Sequence, residues 1–229
     1  MKRIELISLA GVFLFLNFSC QTPNDKPVTA TNSSMELIVE PGEHWLGKMK
    51  VFIFSITNAP QMAAWIEDEE GRYIATITVT NRSAKKNWRA APEEGRPEAL
   101  PVWNHKQQDN SAPHDVDTVS TATSKGSVEA KFDRESLRES LIEGNTYKVY
   151  LEINHSYDYN DYWTKDNSGV NGQPSLIYQA QFVAGQPCHL SLEPMGYGSV
   201  DGSNGTINSG LGSFTTALGI IKDASIIVN

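Results

Sequence analysis

Cysteine is nearly absent from these 229 residues: there are two, Cys20 and Cys188. Cys20 closes an N-terminal leader, so one thiol is left in the body of the chain, and one thiol makes no internal disulfide. It stands beside His189 in QPCHLSL. Neighbours in a strand point to opposite faces, which argues against a nucleophile with its base and for a buried structural cysteine. Basic clusters are as scarce. The formal charge is −8, and the one dense run of Lys and Arg is Arg82–Arg89 in NRSAKKNWR. A nucleic-acid binder gathers such residues on one face, so no nucleic acid is expected. No Gly-x-Ser-x-Gly elbow is present, which leaves hydrolase chemistry without a candidate nucleophile. The glycine-rich stretch Gly196–Gly212 lacks the lysine of a P-loop and is not a strand-to-helix junction. It reads as a long turn joining edge strands.

Long apolar runs are missing too, with one exception. Behind Lys2 and Arg3, the stretch from Ile4 to Leu16 is apolar except for Glu5 and Ser8. It is too short for a spanning helix and has the form of a secretion signal. Its end, Asn17-Phe18-Ser19-Cys20, resembles the bacterial lipoprotein signal, in which the cysteine is lipidated and becomes the mature N-terminus. Ser19 fits the small position before the cleavage. Asn17 departs from the usual leucine, the nearest being Leu16. The resemblance implies a lipid on Cys20 and a membrane-anchored, extracytoplasmic protein in the periplasm. Gln21, which is not the aspartate that often retains such proteins at the inner membrane, favours the outer one. Loss of Lys2, Arg3 and Glu5 with the leader takes the charge to near −9. Residues 21–34, QTPNDKPVTATNSS, hold almost no large apolar side chain and form a flexible tether. Residues 35–229 suit a single domain.

What is abundant is alternation with period two, rich in Val, Ile, Thr, Tyr and Phe, as half-buried strands require. The windows are 35–40, 48–57, 61–67, 72–80, 127–132, 146–154, 175–183, 188–193 and 224–228. Nine strands separated by turn signals predict an antiparallel β-sandwich. In AAWIEDEEGRYIATI, the run Asp68-Glu69-Glu70-Gly71 supplies a turn with a glycine for positive φ, and the alternation resumes at once, which predicts a hairpin. One short helix is expected over Asp133–Ile142, capped by Asp133 and ended by Gly144-Asn145. Two long stretches, 81–126 and 155–174, carry Trp88, Trp103, Tyr157 and Trp163. Disordered segments lack such residues, so both are expected to be ordered against the sandwich and to hold any site.

Several fragments in sequence order resemble a family of bacterial periplasmic proteins catalogued as "domain of unknown function 2271". They are AAWIEDEEGRYIATI, the tryptophans ending in PVW, VDTVSTATSKGS, GNTYKVYLEINHSYDY and the tail GYGSVDGSNGTI…TTALGIIKDASIIV. The strand opening at Gly144-Asn145-Thr146-Tyr147 also resembles the "G-x-Y" strand of immunoglobulin-like domains such as that of the flagellar hook-capping protein. That analogy implies an immunoglobulin-like sandwich and nothing about function. Membership would further imply company with membrane flavin and heme-linked redox proteins.

Asp117, Ser120, Ala122 and Thr123 resemble the D-x-x-[S/T]-G-A-[T/S] signal at which a magnesium-dependent flavin transferase attaches FMN through a phosphoester. Thr123 holds the acceptor position. Thr121 stands where glycine is expected and restricts the backbone. The alternative is a Ser/Thr-rich turn whose hydroxyls satisfy their own backbone. Two groups of metal-ligating types occur, His105, Asp109, His114, Asp115 and Asp117, then His155, Asp158 and Asp161. Neither matches a tight motif, and both read as solvated loop residues, with no metal expected. Two functions therefore stand side by side. The first is a non-enzymatic, lipid-anchored binding or accessory module presenting Trp88, Trp103, Tyr157 and Trp163 to a partner, possible partners including a membrane redox protein. The second is an electron-carrying subunit with FMN on Thr123.

Overall fold

The computed structural model describes residues 34–51, 54–86, 88, 93, 95–108, 119–120, 127–133 and 141–229. Most of them lie in antiparallel strands forming two sheets. One sheet has four strands: β1 (Ser34–Pro41), β7 (Val128–Asp133), β10 (Cys188–Ser191) and β12 (Ile221–Val228), in the order β10-β12-β1-β7. The other has six: β4 (Gln61–Asp68), β5 (Tyr73–Thr80), β6 (Val119–Ser120), β8 (Thr146–Asn154), β9 (Leu176–Val183) and β11 (Glu193–Tyr197), in the order β11-β9-β8-β4-β5-β6. Every described pairing within the two sheets is antiparallel except β5 with β6. The inward residues of both sheets, among them Leu37, Val39, Ile226, Ala64, Ile66, Val149, Leu151 and Ile153, close one core between them. The architecture is an all-β sandwich.

A second core explains why β4 is buried along its whole length. Its odd residues Ala63 and Trp65 face away from the sandwich, and so do Val79, Tyr150 and Ile177. Covering them are Leu100, Val102 and Trp103, carried by the start of helix α2 (Pro101–Gln108) and the residue before it. The six-stranded sheet is thus covered at its centre on both faces. Two shorter helices are α1 (Asn81–Lys85), which follows β5, and α3 (Lys165–Ser168), within the loop between β8 and β9.

The hairpin between β4 and β5 forms as its turn residues predict: Gly71 has φ +82°, and its N–H donates to the Asp68 carbonyl at 3.1 Å. Other expectations need correction. The window 48–57 is two strands, β2 (Gly47–Val51) and β3 (Phe54–Asn58), paired with each other. The window 188–193 also divides, because buried Leu192 passes the chain from β10 in one sheet to β11 in the other. Asp133 ends β7 opposite Ser34; residues 134–140 of the expected helix lie outside the described residues, and Leu141 and Ile142 are not helical. The glycine-rich connection does leave the edge strand β11, but it arrives at β12, which is flanked by β10 and β1.

Candidate functional site

β8 delivers the chain at Asn154 into a loop that returns at β9. His155, the first loop residue, is buried, with Nε2 2.7 Å from the Trp45 carbonyl. Burial lowers its pKa below the ordinary histidine value. Asp158 bridges to Gly172 and accepts hydrogen bonds from Thr216 (2.6 Å) and Gln173 (2.9 Å). Burial raises its pKa. Further along, the Asn160 side chain accepts from the backbone N–H of Tyr162 and Trp163 and donates to the Ser213 carbonyl at 2.9 Å. Asn167 Oδ1 accepts from the Thr164 N–H at 2.8 Å and so starts α3. Each of these side chains replaces a ladder that a loop lacks, so the segment 155–174 is ordered by its own amides and carboxylates.

This scaffold leaves three tyrosines in solvent, Tyr157, Tyr159 and Tyr162, at 43%, 37% and 61% exposure. Tyr157 is held at φ +64° and packs edge-on to Tyr159 at 6.5 Å. A guanidinium completes the arrangement: Arg96 lies 5.1 Å from the Trp88 ring and 5.9 Å from the Tyr157 ring. Its Nε donates to Glu98 at 2.8 Å and its Nη1 to Ser156. The charge of Arg96 is therefore met within the protein, and the outer rim of the cluster is aromatic and neutral. Beside it opens a recess of about 340 Å³ lined by His44, His155, Asp158, Asn58 and Thr216 among others.

Of the four aromatics predicted to face a partner, Trp88 and Tyr157 are brought together around Arg96. Trp103 and Trp163 are not surface residues. Trp103 is 2% exposed, and its Nε1 donates to Thr76 at 2.9 Å in the outer core. Trp163 is 6% exposed against Phe214 and Tyr197. Their large apolar area is satisfied within the fold, while Tyr159 and Tyr162, two and five residues beyond Tyr157, take the exposed positions. The tyrosine spacing in HSYDYNDYW was the available signal. Arg96 had none, since Ser156 and Tyr157, which bring it to the tyrosine loop, lie some 60 residues along the chain.

The expectation that the histidine and acidic residues are solvated fails for His155, which is buried, and for Asp158, which is half-buried under Thr216 and Gln173. His105 Nε2 lies 3.1 Å from the Gly202 carbonyl, and Asp161 is exposed; Asp109, His114, Asp115 and Asp117 lie outside the described residues. No group of three or more His, Cys, Asp or Glu suited to a metal occurs among the described residues. Of the flavin-acceptor residues, Ser120 lies in β6, opposite Thr80. Asp117, Ala122 and Thr123 lie outside the described residues, as does Cys20. Cys188 is half-buried and His189 exposed, as alternation in β10 requires.

Fold and site define an antiparallel β-sandwich with an ordered aromatic loop at one end and a helix-covered outer face. Residues 55–162 match the family described as predicted periplasmic protein (DUF2271), so the family resemblance of the ordered fragments holds over that span and an extracytoplasmic location fits. No curated protein and no solved structure matches the chain. No helix among the described residues is long and apolar enough to cross a membrane.

Proposed function

We propose that this protein is a membrane-anchored extracytoplasmic lipoprotein that acts as a non-enzymatic binding or accessory module, using the tyrosine loop to hold a partner. The observation that carries the reading is the combination of order and exposure in residues 155–174. Three tyrosines stand in solvent on a loop fixed by partly buried side-chain hydrogen bonds. Large rings presented without entropy to lose are the usual centre of a binding surface. A partner within a membrane redox system accords with the company the family resemblance implies. Photo-crosslinking from position 162 in cells is expected to yield one specific adduct. The adduct is lost in Tyr157→Ala/Tyr159→Ala and absent when the probe sits at exposed Lys222 on the four-stranded sheet. Equal labelling from both positions would rule the surface out.

A second reading has its own support. Val119 and Ser120 pair in parallel with Val79 and Thr80 at the β6 end of the six-stranded sheet. Ser120, three residues before Thr123 in sequence, therefore lies beside the last residue of β5, where α1 begins. A transferase needs an acceptor hydroxyl beside an open edge, and FMN on Thr123 would make the protein an electron carrier. Co-expression with an active flavin transferase is expected to add the mass of one FMN and in-gel fluorescence, both abolished in Thr123→Ala. An unchanged mass removes this reading and leaves the first intact.

A further inference from the structure

At the root of the tyrosine loop two segments run unusually close. Asp158 bridges to Gly172, and the Gln173 N–H donates to the Asp158 carbonyl at 2.8 Å. Gly172 has φ +73°, and a Cβ there would stand 2.5 Å from the Asp158 nitrogen, so only glycine allows this approach. The approach carries Gln173, which is 1% exposed, to the short 3₁₀ turn Thr216–Gly219, with Thr216 43 residues further along the chain.

The Gln173 amide is held at both ends. Its Oε1 accepts from the Thr215 N–H at 2.7 Å and from the Thr215 hydroxyl at 3.4 Å. Its Nε2 donates to Thr216 Oγ1 at 2.6 Å and to Asp158 Oδ2 at 2.9 Å. A backbone N–H can only donate, so the amide oxygen must face Thr215 and the nitrogen must face Thr216. The Thr216 hydroxyl in turn donates to Asp158 Oδ1 at 2.6 Å. A hydroxyl, a carboxylate that can take its proton, an acyl carbon one bond from the hydroxyl's neighbour and a backbone N–H on the acyl oxygen are the parts that acyl transfer needs. Here the acyl group belongs to the protein itself.

We propose that this cluster modifies itself: Thr216 Oγ1 attacks Gln173 Cδ and joins the two side chains through an ester bond, releasing ammonia. Asp158 takes the hydroxyl proton at Oδ1, and the charge that develops on Oε1 is met by the Thr215 N–H and hydroxyl. The tetrahedral intermediate collapses by breaking the Cδ–Nε2 bond. The Asp158 carboxyl, turning about its Cβ–Cγ bond, hands the proton to the departing nitrogen. That proton and the two amide hydrogens make NH3, Asp158 ends ionised, and nothing is oxidised or reduced. Ammonia leaves through the recess of about 340 Å³ that Asp158 and Thr216 line. Burial raises the pKa of Asp158, which makes it a stronger base than an exposed carboxylate. Holding the reacting groups as neighbours in one chain supplies the proximity that an unreactive amide requires.

The ester does for this chain what a disulfide does in other proteins outside the cytoplasm. Cys188 is the one cysteine beyond the leader, and the ester fixes the tyrosine loop to the turn before β12 without a second thiol. It forms whatever the tyrosines hold.

Mass spectrometry of the mature protein tests the bond. Cyanogen bromide cuts after Met62 and Met195, which parts Gln173 from Thr216 whatever the N-terminus carries. The wild type is expected to give fragments 63–195 and 196–229 as one joined species, lighter than their sum by one ammonia. Thr216→Val and Asp158→Asn are each expected to give two separate fragments. Separate fragments from the wild type, or a join that persists in either variant, overturns the ester. The wild-type spectrum decides alone should a variant fail to fold.

Discussion

His155 and Glu152 are buried titratable groups three residues apart, and their effects on stability run in opposite directions. His155 has a folded pKa below its ordinary 6.5, with burial as the main cause. Its contribution is present above pH 6.5 and is lost as pH falls. Glu152 has a folded value raised from 4.5 to about 7. Its contribution is complete below 4.5 and is lost as pH rises to about 7, a difference of about 3 kcal/mol. Denaturant midpoints between pH 5 and 7.5 are therefore expected to rise with pH in Glu152→Gln, where the histidine acts alone, and to rise less or fall in the wild type, where Glu152 opposes it. The tryptophans and tyrosines separate at the same scale. Trp103→Ala empties part of the outer core and removes one of the two hydrogen bonds of the Thr76 hydroxyl, and is expected to cost about 3–5 kcal/mol. Tyr162→Ala removes an exposed ring and is expected to change stability by no more than about 0.5 kcal/mol. Equal losses for the two in urea unfolding would mean that the loop is core.

Elements record how far local pattern reaches. The β4–β5 hairpin and the limits of β8 were legible because alternation, turn residues and burial agree there. The 48–57 window misled because its period-two pattern continues through what is a pairing of two strands. The Gly-Tyr-Gly-Ser stretch 196–199 carried no visible purpose in the sequence. In the fold, Gly198 lies against Pro101 at the start of α2 and against Ser175 and Glu152, whose carboxylate accepts from the Val102 and Trp103 N–H groups. Gly198→Ala is expected to destabilise by about 1–3 kcal/mol through the contact with Pro101 and Ser175. Gly212→Ala, where an added Cβ meets nothing within 4 Å, is expected to be neutral. Thermal melts of the two variants check the contrast. Helix α2 itself was missed, since its eight residues show little amphipathic pattern. Its stability comes from Pro101 at the first position, the Glu152 cap and the burial of Val102 and Trp103.

At the scale of the whole molecule, the match of residues 55–162 fits a sandwich outside the cytoplasm, and the proposed lipid on Cys20 would tie it to a membrane. Under that proposal the tether expected over residues 21–34 ends one residue sooner, since Ser34 already belongs to β1, and as a coil it would span roughly 20 Å, enough to hold the domain clear of the headgroups. Cys20→Ser is expected to release a folded protein into the aqueous phase on detergent phase partitioning. Retention in the detergent phase would show that another segment is the anchor. The sequence by itself determined the strand-rich pattern, the sandwich class, the family resemblance over residues 55–162 and the order of the aromatic loop. Each of these depends on patterns that repeat over a few residues or on short ordered fragments. Tertiary structure alone decided which aromatics are core and which are surface, that Arg96 is enclosed by Trp88 and Tyr157, and that Glu152 caps a helix 50 residues distant. Those outcomes depend on which faces meet across the sheets, and nothing in the local pattern of a strand or loop specifies what will be packed against it.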